Sequence, residues 1–162
     1  MKILILSDSH GNHEDIRRAI GREAPIDMLI HAGDVEGDLE QVLGVRREYE
    51  IRVVAGNMDW MPGLEQELCF PLGKHHRVFL THGHRYGVYS GLVKLRERAR
   101  RKKADLVIFG HTHKPEYERQ GGITMINPGS ISKPRQEGWK KTYVVMTVQE
   151  DGTMDVQFKS LP

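Results

Sequence analysis

His111 and His113 follow Gly110 at the end of the apolar run Leu106-Val107-Ile108-Phe109. A short run rich in Val, Ile and Phe reads as a buried strand. Alternation along an extended chain puts the two imidazoles on one side. Gly110 lets the backbone turn sharply and approach a neighbour closely. Two imidazoles so placed are what a metal ion would use, the alternative being a plain pair of loop histidines. The choice depends on whether matching ligands occur elsewhere in the chain. Asp8-Ser9-His10, Gly33-Asp34, Gly56-Asn57 and His82-Gly83-His84 each follow an apolar run in the same way. In open α/β sheets, ligands bind at the carboxyl ends of strands. A satisfied core has no need of so many polar groups at one edge, because buried polar groups cost free energy unless paired. Carboxylate, amide oxygen and imidazole suit Mn, Fe, Ni, Zn or Mg better than a thiol-seeking ion. A carboxylate shared by two such ions would hold them ~3.5–4 Å apart, the spacing used in phosphoryl chemistry.

The elements that must position these clusters read as follows. Ile3–Leu6 is a continuous apolar run, hence a strand covered on both faces. Asn12 is an N-cap for a helix opening His13-Glu14-Asp15, with Ile16, Ala19 and Ile20 as its apolar stripe and Pro25 in the connection beyond. Strands follow at Asp27–Ile30 and Ile51–Val54, separated by a short helix over Leu39, Val42 and Leu43 that Gly44 weakens. Leu68-Cys69-Phe70 is a short strand after the Pro62-Gly63 turn, and Arg77–Leu80 is a clearer one. Gly91–Lys103 is a basic amphipathic helix carried by Leu92, Val93, Leu95 and Ala99. Beyond His113 the texture changes to two hairpins, Tyr117–Gln120 with Ile123–Ile126 and Thr142–Val148 with Met154–Phe158. Asn127-Pro128-Gly129-Ser130 is read as a turn between them. Early βα alternation with a late β meander predicts an α/β domain whose second half adds antiparallel strands.

The chain of 162 residues is one domain's worth, read as a single domain over 1–162. It is 38% hydrophobic and 28% charged, the balance of a globular protein. A net charge of +2 is too small to argue for nucleic acid or a membrane surface. Nine histidines against one cysteine point away from a thiolate zinc site. Cys69 alone can form no intrachain disulfide and reads as a small buried residue. No apolar run approaches the ~20 residues of a membrane span. The opening Met1-Lys2-Ile3-Leu4-Ile5-Leu6 is too short an apolar segment for a signal peptide. The expectation is a cytoplasmic protein with no membrane contact.

The ordered series Asp8-x-His10, Gly33-Asp34, Gly56-Asn57-x-Asp59, His82-Gly83-His84 and Gly110-His111-x-His113 resembles the calcineurin-like metallophosphoesterase superfamily. The short length and the Asn127-Pro128-Gly129-Ser130 stretch resemble its small prokaryotic phosphodiesterase branch. The resemblance implies a four-layer αββα sandwich, two mixed β-sheets flanked by helices, with the site between the sheets. It also implies two divalent ions. Asp8, His10, Asp34 and His113 would hold one, and Asp34, Asn57, His82 and His111 the other, with Asp34 bridging. Mn²⁺ is the first choice, with Ni²⁺, Fe or Zn²⁺ as alternatives. The implied reaction is hydrolysis of a small phosphodiester by a metal-bridging hydroxide, in a chain that assembles as a homo-oligomer.

One position departs from that pattern. Many family members have histidine after the Gly-Asn pair, where it assists the leaving group; here it is Met58, which transfers no proton. His84 or a water would then assist, or substrates with good leaving groups would be favoured. Asp59 reads as supporting the ligands from behind, with a surface turn as the alternative. Arg135 reads either as reaching a substrate phosphate or as bracing the preceding turn. His31 reads as a hydrogen-bonded strand-end histidine, His75 and His76 as solvated turn residues, and Arg100–Lys103 as a solvated helix end. The alternative function is a scaffold that binds a protein partner, as the retromer subunit resembling this superfamily does. A scaffold need not keep all seven ligands, and this chain keeps them. A nuclease would predict a more basic face and a DNA-reading segment.

Overall fold

Along β1 (Lys2–Leu6), Ile3 and Ile5 enter one apolar cluster while Leu4 and Leu6 enter another. That alternation makes β1 a divider between two cores. The computed structural model describes residues 1–44 and 47–162. β1 is central in a five-stranded sheet with β2 (Met28–His31), β3 (Glu50–Val53), β9 (Thr142–Val148) and β10 (Met154–Ser160), in the order β10-β9-β1-β2-β3. β1, β2 and β3 are parallel, whereas β9 and β10 add antiparallel pairings at the other side.

The second sheet has the order β4-β5-β6-β8-β7, with β4 Glu67–Leu72, β5 His76–Thr81, β6 Leu106–Ile108, β7 Pro115–Gln120 and β8 Ile123–Pro128. β5, β6 and β8 are parallel, and β4 and β7 are antiparallel edges. Ile3, Ile5, Met28 and Ile30 of the first sheet meet Val78, Leu80, Leu106 and Ile108 of the second in one shared core. α1 (His13–Glu23) and α2 (Leu39–Leu43) cover the outer face of the first sheet through Ile16, Ala19 and Leu39. α3 (Val93–Arg101) covers the second through Leu95 and Ala99. Helix, sheet, sheet and helix make the four-layer sandwich that the resemblance implies.

The local readings hold where they rest on short-range chemistry. Asn12 caps α1 through its side-chain oxygen, which accepts from Asp15 N. Four readings need correction. Asn127 and Pro128 continue β8 instead of forming a turn. The β6 ladder ends at the Ile108–Ile126 pair, so these two residues pair only with β7, and the missing proline N–H breaks nothing. Val93 is 63% exposed because Leu92, Leu95 and Ala99 already fill the buried stripe of α3. Cys69 is only half-buried, on the α3 side of the edge strand β4. His76 is not a solvated turn residue: it opens β5, with Nδ1 2.5 Å from Asp105 Oδ2 and Nε2 2.6 Å from the Gly152 carbonyl. Both contacts are remote in sequence, so no local signal announced them.

Candidate metal centre

The first sheet brings Asp8, Asp34 and Asn57 to its carboxyl edge, following β1, β2 and β3. The second brings His82, His111 and His113, following β5 and β6. The cluster therefore lies between the two sheets. Backbone bonds join the loops: Asp8 N to Gly33 O at 3.0 Å, His10 N to Asp34 O at 2.9 Å and Gly110 N to His82 O at 3.0 Å.

Side-chain aim here depends on unusual backbone. Asp8, His10, Asp34, Glu36, His111 and His113 all have left-handed φ, between 46° and 71°. Only two other described non-glycine residues share that region, Lys103 and Trp139. Such conformations cost about 1–3 kcal/mol each and gather where geometry serves function. Two glycines permit the crowding. A Cβ on Gly56 would fall 2.1 Å from Asp34 Oδ1, and one on Gly110 would fall 1.9 Å from Ser7 Oγ.

The carboxylates are anchored at one oxygen and open at the other. Asp8 Oδ2 accepts from Ser7 Oγ at 2.6 Å and from His111 N at 3.1 Å. Asp8 Oδ1 is buried with no hydrogen-bond donor among the described residues. His113 Nε2 lies 3.1 Å from it without the alignment of a hydrogen bond. Asp34 Oδ1 accepts from Met58 N at 2.8 Å, and its Oδ2 lies 3.3 Å from His82 Nε2 and 3.9 Å from His10 Nε2. The imidazoles are anchored at Nδ1. That of His82 donates to Ala32 O at 2.7 Å and that of His113 to Lys133 O at 2.6 Å, while that of His10 lies 2.5 Å from Glu36 Oε1. Fixing the proton on Nδ1 presents the Nε2 lone pair to the centre, as ligating histidines require. The Nε2 atoms of His10 and His113 face each other at 3.1 Å.

These features fit a divalent cation. An orphaned buried carboxylate oxygen and converging lone pairs are costly unless a cation satisfies them. Two groups have ligand atoms within 4.8 Å of one another: Asp8, His10 and His113, and Asp8, Asp34 and His82. Asn57 Oδ1, 3.1 Å from His82 Nε2, adjoins the second group. The His111 ring stands 5.1 Å from that of His82, lining the same cavity but outside the tight groups. His84 packs at 5.4 Å against His82 and 6.0 Å against His111, off the cavity wall, with its Nδ1 buried and unpartnered among the described residues.

Asp59 ties the glycine loops together. Its Oδ2 accepts from Asp34 N and Gly56 N, both at 2.8 Å, and its Oδ1 from Glu36 N at 2.7 Å. The Asn127–Ser130 segment also serves the centre. Asn127 Nδ2 donates to Gly110 O at 3.0 Å, and Ser130 Oγ to Asp8 O at 2.7 Å. His31 Nε2 meets Ser9 Oγ at 3.1 Å as a strand-end contact, and burial pushes its pKa down to about 4.

Electrostatically the centre is polarised. Burial works to raise the Asp34 pKa, but the neighbouring His82 and the Met58 N–H overcome it and hold the group at about 2. Asp8 is likewise held below its ordinary value, against burial, by His113 and His82. His82 is raised by Asp34 and Asp8 against its own burial, whereas burial and the neighbouring His82 push His111 down to about 4. A cavity of about 310 Å³ opens over this ground, walled by His10, Asp34, Asn57 and His111 within and by Glu36, Met58, Lys133 and Arg135 at the mouth. A surface cavity of about 580 Å³ beside Glu67, Tyr86 and Arg98 holds no comparable ligand set.

Glu36, Lys133 and Tyr89 escaped the reading of the sequence. Glu36 follows Asp34 at i, i+2, the spacing of the paired histidines, and that was its available signal. Lys133 and Tyr89 carry none, since each acts across the fold, Tyr89 Oη donating to His111 O at 3.1 Å.

The relatives of this chain bear on the same ground. A probable metallophosphoesterase, YsnB of Bacillus subtilis, is 38% identical over 152 residues, covering 93% of this chain and 86% of its own. The phosphodiesterase YfcE of Escherichia coli K12 is 30% identical over 159 residues, covering 83% of this chain and 82% of its own. A predicted phosphoesterase from Streptococcus pneumoniae TIGR4 superposes with TM-score 0.83 at 30% identity, covering 98% of this chain and 88% of that one. Zinc-complexed Vps29 from Entamoeba histolytica superposes with TM-score 0.75 over 99% of each chain, a likeness of fold at 22% identity. The family model for the calcineurin-like phosphoesterase superfamily domain matches residues 1–151, and the chain belongs to that family.

Proposed function

We propose that the protein is a binuclear metal-dependent phosphodiesterase acting on a small phosphodiester. The observation that carries this reading is the buried, unpartnered Asp8 Oδ1 among imidazoles whose Nδ1 atoms are already engaged. Asp8, His10, Asp34 and His113 would hold one ion, and Asp34, Asn57, His82 and His111 the other. Asp34 is given the shared position on the family resemblance; its Oδ2 lies near a histidine of each group, as does Oδ1 of Asp8, which belongs to both tight groups. Bound there, divalent ions supply Lewis acidity toward a phosphoryl oxygen and a nucleophile from water at neutral pH. Mn²⁺ is the first choice on ligand type and family together, with Ni²⁺, Fe and Zn²⁺ as alternatives.

The chain's own groups define the rest. Asp59 and Glu36 hold the loops and the His10 ring in place. Asn57 places an amide at the cavity wall. Met58 stands at the mouth, 42% exposed, with no proton to give a leaving alkoxide. His84 acts through His82 and His111, as a positioning residue. A diester with an aryl or other good leaving group is therefore the favoured substrate. The phosphodiesterase names of relatives at similar length support the same class. No helix among the described residues is long and apolar enough to cross a membrane. We read the chain as a single domain over 1–162, cytoplasmic and able to form a homo-oligomer. The partner-binding alternative rests on Met58 and on the fold likeness to Vps29; the intact ligand set favours the enzyme.

The test is hydrolysis of bis(p-nitrophenyl) phosphate and p-nitrophenyl phosphate by metal-stripped protein re-supplied with Mn²⁺. Diester turnover that appears with metal supports the proposal. Absence of turnover with any divalent ion, by folded protein, overturns it.

A further inference from the structure

Two cations at the cavity mouth are not used by the reaction as described. Lys133 and Arg135 are exposed and line the cavity beside His10, His113 and Asn57. Among the described residues neither forms an ion pair with a carboxylate, although other Lys and Arg side chains do. Their segment is fastened to the centre: Arg135 N donates to His113 O at 3.1 Å, and Lys133 O accepts from His113 Nδ1 at 2.6 Å. The Arg135 side chain is tethered too. Its Nη1 donates to Tyr89 Oη, which itself donates to His111 O at 3.1 Å. The Tyr89 ring stands edge-on to the His111 ring at 5.0 Å. A guanidinium held by a neutral phenol is fixed in place while its charge stays available.

We propose that Lys133 and Arg135, with Arg135 positioned by Tyr89, form an anion subsite that takes a second phosphate carried by the retained half of the diester substrate. The inference rests on the phosphodiesterase reading. The charge balance of the cavity is what argues for a second phosphate. The carboxylates in and behind the centre are those of Asp8, Asp34, Glu36 and Asp59. Asp59 is answered behind the centre by three backbone N–H groups, and two divalent ions together with the hydroxide nucleophile would balance the other three charges. The remaining positive charge at the mouth is that of Lys133 and Arg135. A diester is a monoanion and matches one of them. A further phosphate, carrying about −1.5 to −2 at pH 7, more than meets the other, and a planar, tethered guanidinium suits a phosphate in particular. Met58 adds an uncharged wall to the mouth.

The experiment pairs two substrates with one leaving group: thymidine 5′-(p-nitrophenyl phosphate), and the same molecule bearing a 3′-phosphate. Mn²⁺-loaded wild type is expected to favour the second in kcat/KM by ~10-fold or more. Arg135→Gln is expected to collapse that ratio toward one, and Arg135→Lys to restore part of it. Tyr89→Phe is expected to raise KM for the 3′-phosphorylated substrate more than for the plain one. Calorimetry supplies a second readout without turnover, in which thymidine 3′,5′-bisphosphate binds more tightly than the 5′-monophosphate and Arg135→Gln removes the difference. A ratio near one in the wild type overturns the subsite. So does an Arg135→Gln loss equal on both substrates, which places Arg135 on the scissile phosphate. Absence of turnover on either substrate counts against the phosphodiesterase reading, and the calorimetric comparison then decides the subsite alone.

Discussion

β5 and β6 carry a histidine–carboxylate cluster at each end, and the two clusters differ in kind. At the amino end, His76 opens β5 and Asp105 precedes β6. His76 uses Nδ1 on Asp105 and Nε2 on the Gly152 carbonyl, and Asp105 Oδ1 accepts from Arg77 N at 2.7 Å. Both ring nitrogens and both carboxylate oxygens have partners, and neither His76 nor Asp105 has a left-handed φ. At the carboxyl end, His82, His111 and His113 meet Asp8 and Asp34 with one oxygen unpartnered, two Nε2 atoms face to face and left-handed backbone at five expected ligands. The first cluster is complete as protein and clasps the second sheet to the β9–β10 turn. The second leaves polar atoms unsatisfied that a cation would take up. Residue type alone does not separate a structural histidine from a ligand; the count of satisfied atoms does.

Substitutions at the two ends should separate the clusters by effect. The largest change is expected at the centre: Asp34→Asn should lower metal-restored diester turnover by ~10³-fold or more, since it weakens the ligand proposed to be shared. Next is metal-linked stability. Mn²⁺ at a hundred times its dissociation constant should stabilise the wild type by about 2.7 kcal/mol per bound ion, measured by denaturant unfolding, and Asp8→Asn should lose most of this. His76→Gln should cost about 1–3 kcal/mol of stability through its broken contacts, while Mn²⁺ affinity stays as in wild type. A shift in metal affinity on His76→Gln would break the comparison.

The smallest effect is in pH. Burial works to lower the His76 pKa, but the Gly152 carbonyl and Asp105 outweigh it and raise the group above its ordinary value. A pKa raised on folding means the native state binds the proton more tightly than the unfolded chain. The His76 contribution is therefore whole below about pH 6.5, and it is lost as pH rises through the folded pKa. Wild type minus His76→Gln stability, followed from pH 5 to 9, should shrink with rising pH. A difference that grows instead would contradict the clasp.

The same contrast explains what the sequence could reveal. β1 and α1 were readable because their determinants are local: the run Ile3–Leu6, and Asn12 three residues before Asp15. The candidate ligands stood out in the sequence because strand ends repeat one chemistry in a fixed order. Groups that act across the fold were not. His76 meets Asp105 and Gly152 at separations of 29 and 76 residues, and Glu36 reaches His10 across 26. Asp59 was expected near the ligands, but that its two oxygens tie Asp34, Gly56 and Glu36 together is visible only in three dimensions. Nor could the sequence show that Val93 would be left outside the buried stripe of its helix.

The central claim is that the carboxyl-end cluster holds two divalent ions. It is tested most directly by calorimetric titration of Mn²⁺ into metal-stripped wild type, beside Asp34→Asn and His76→Gln. The account predicts two ions per chain for the wild type and for His76→Gln, with binding of at least one ion sharply weakened in Asp34→Asn. Saturation of the wild type by one ion, or the same isotherm for wild type and Asp34→Asn, would contradict it.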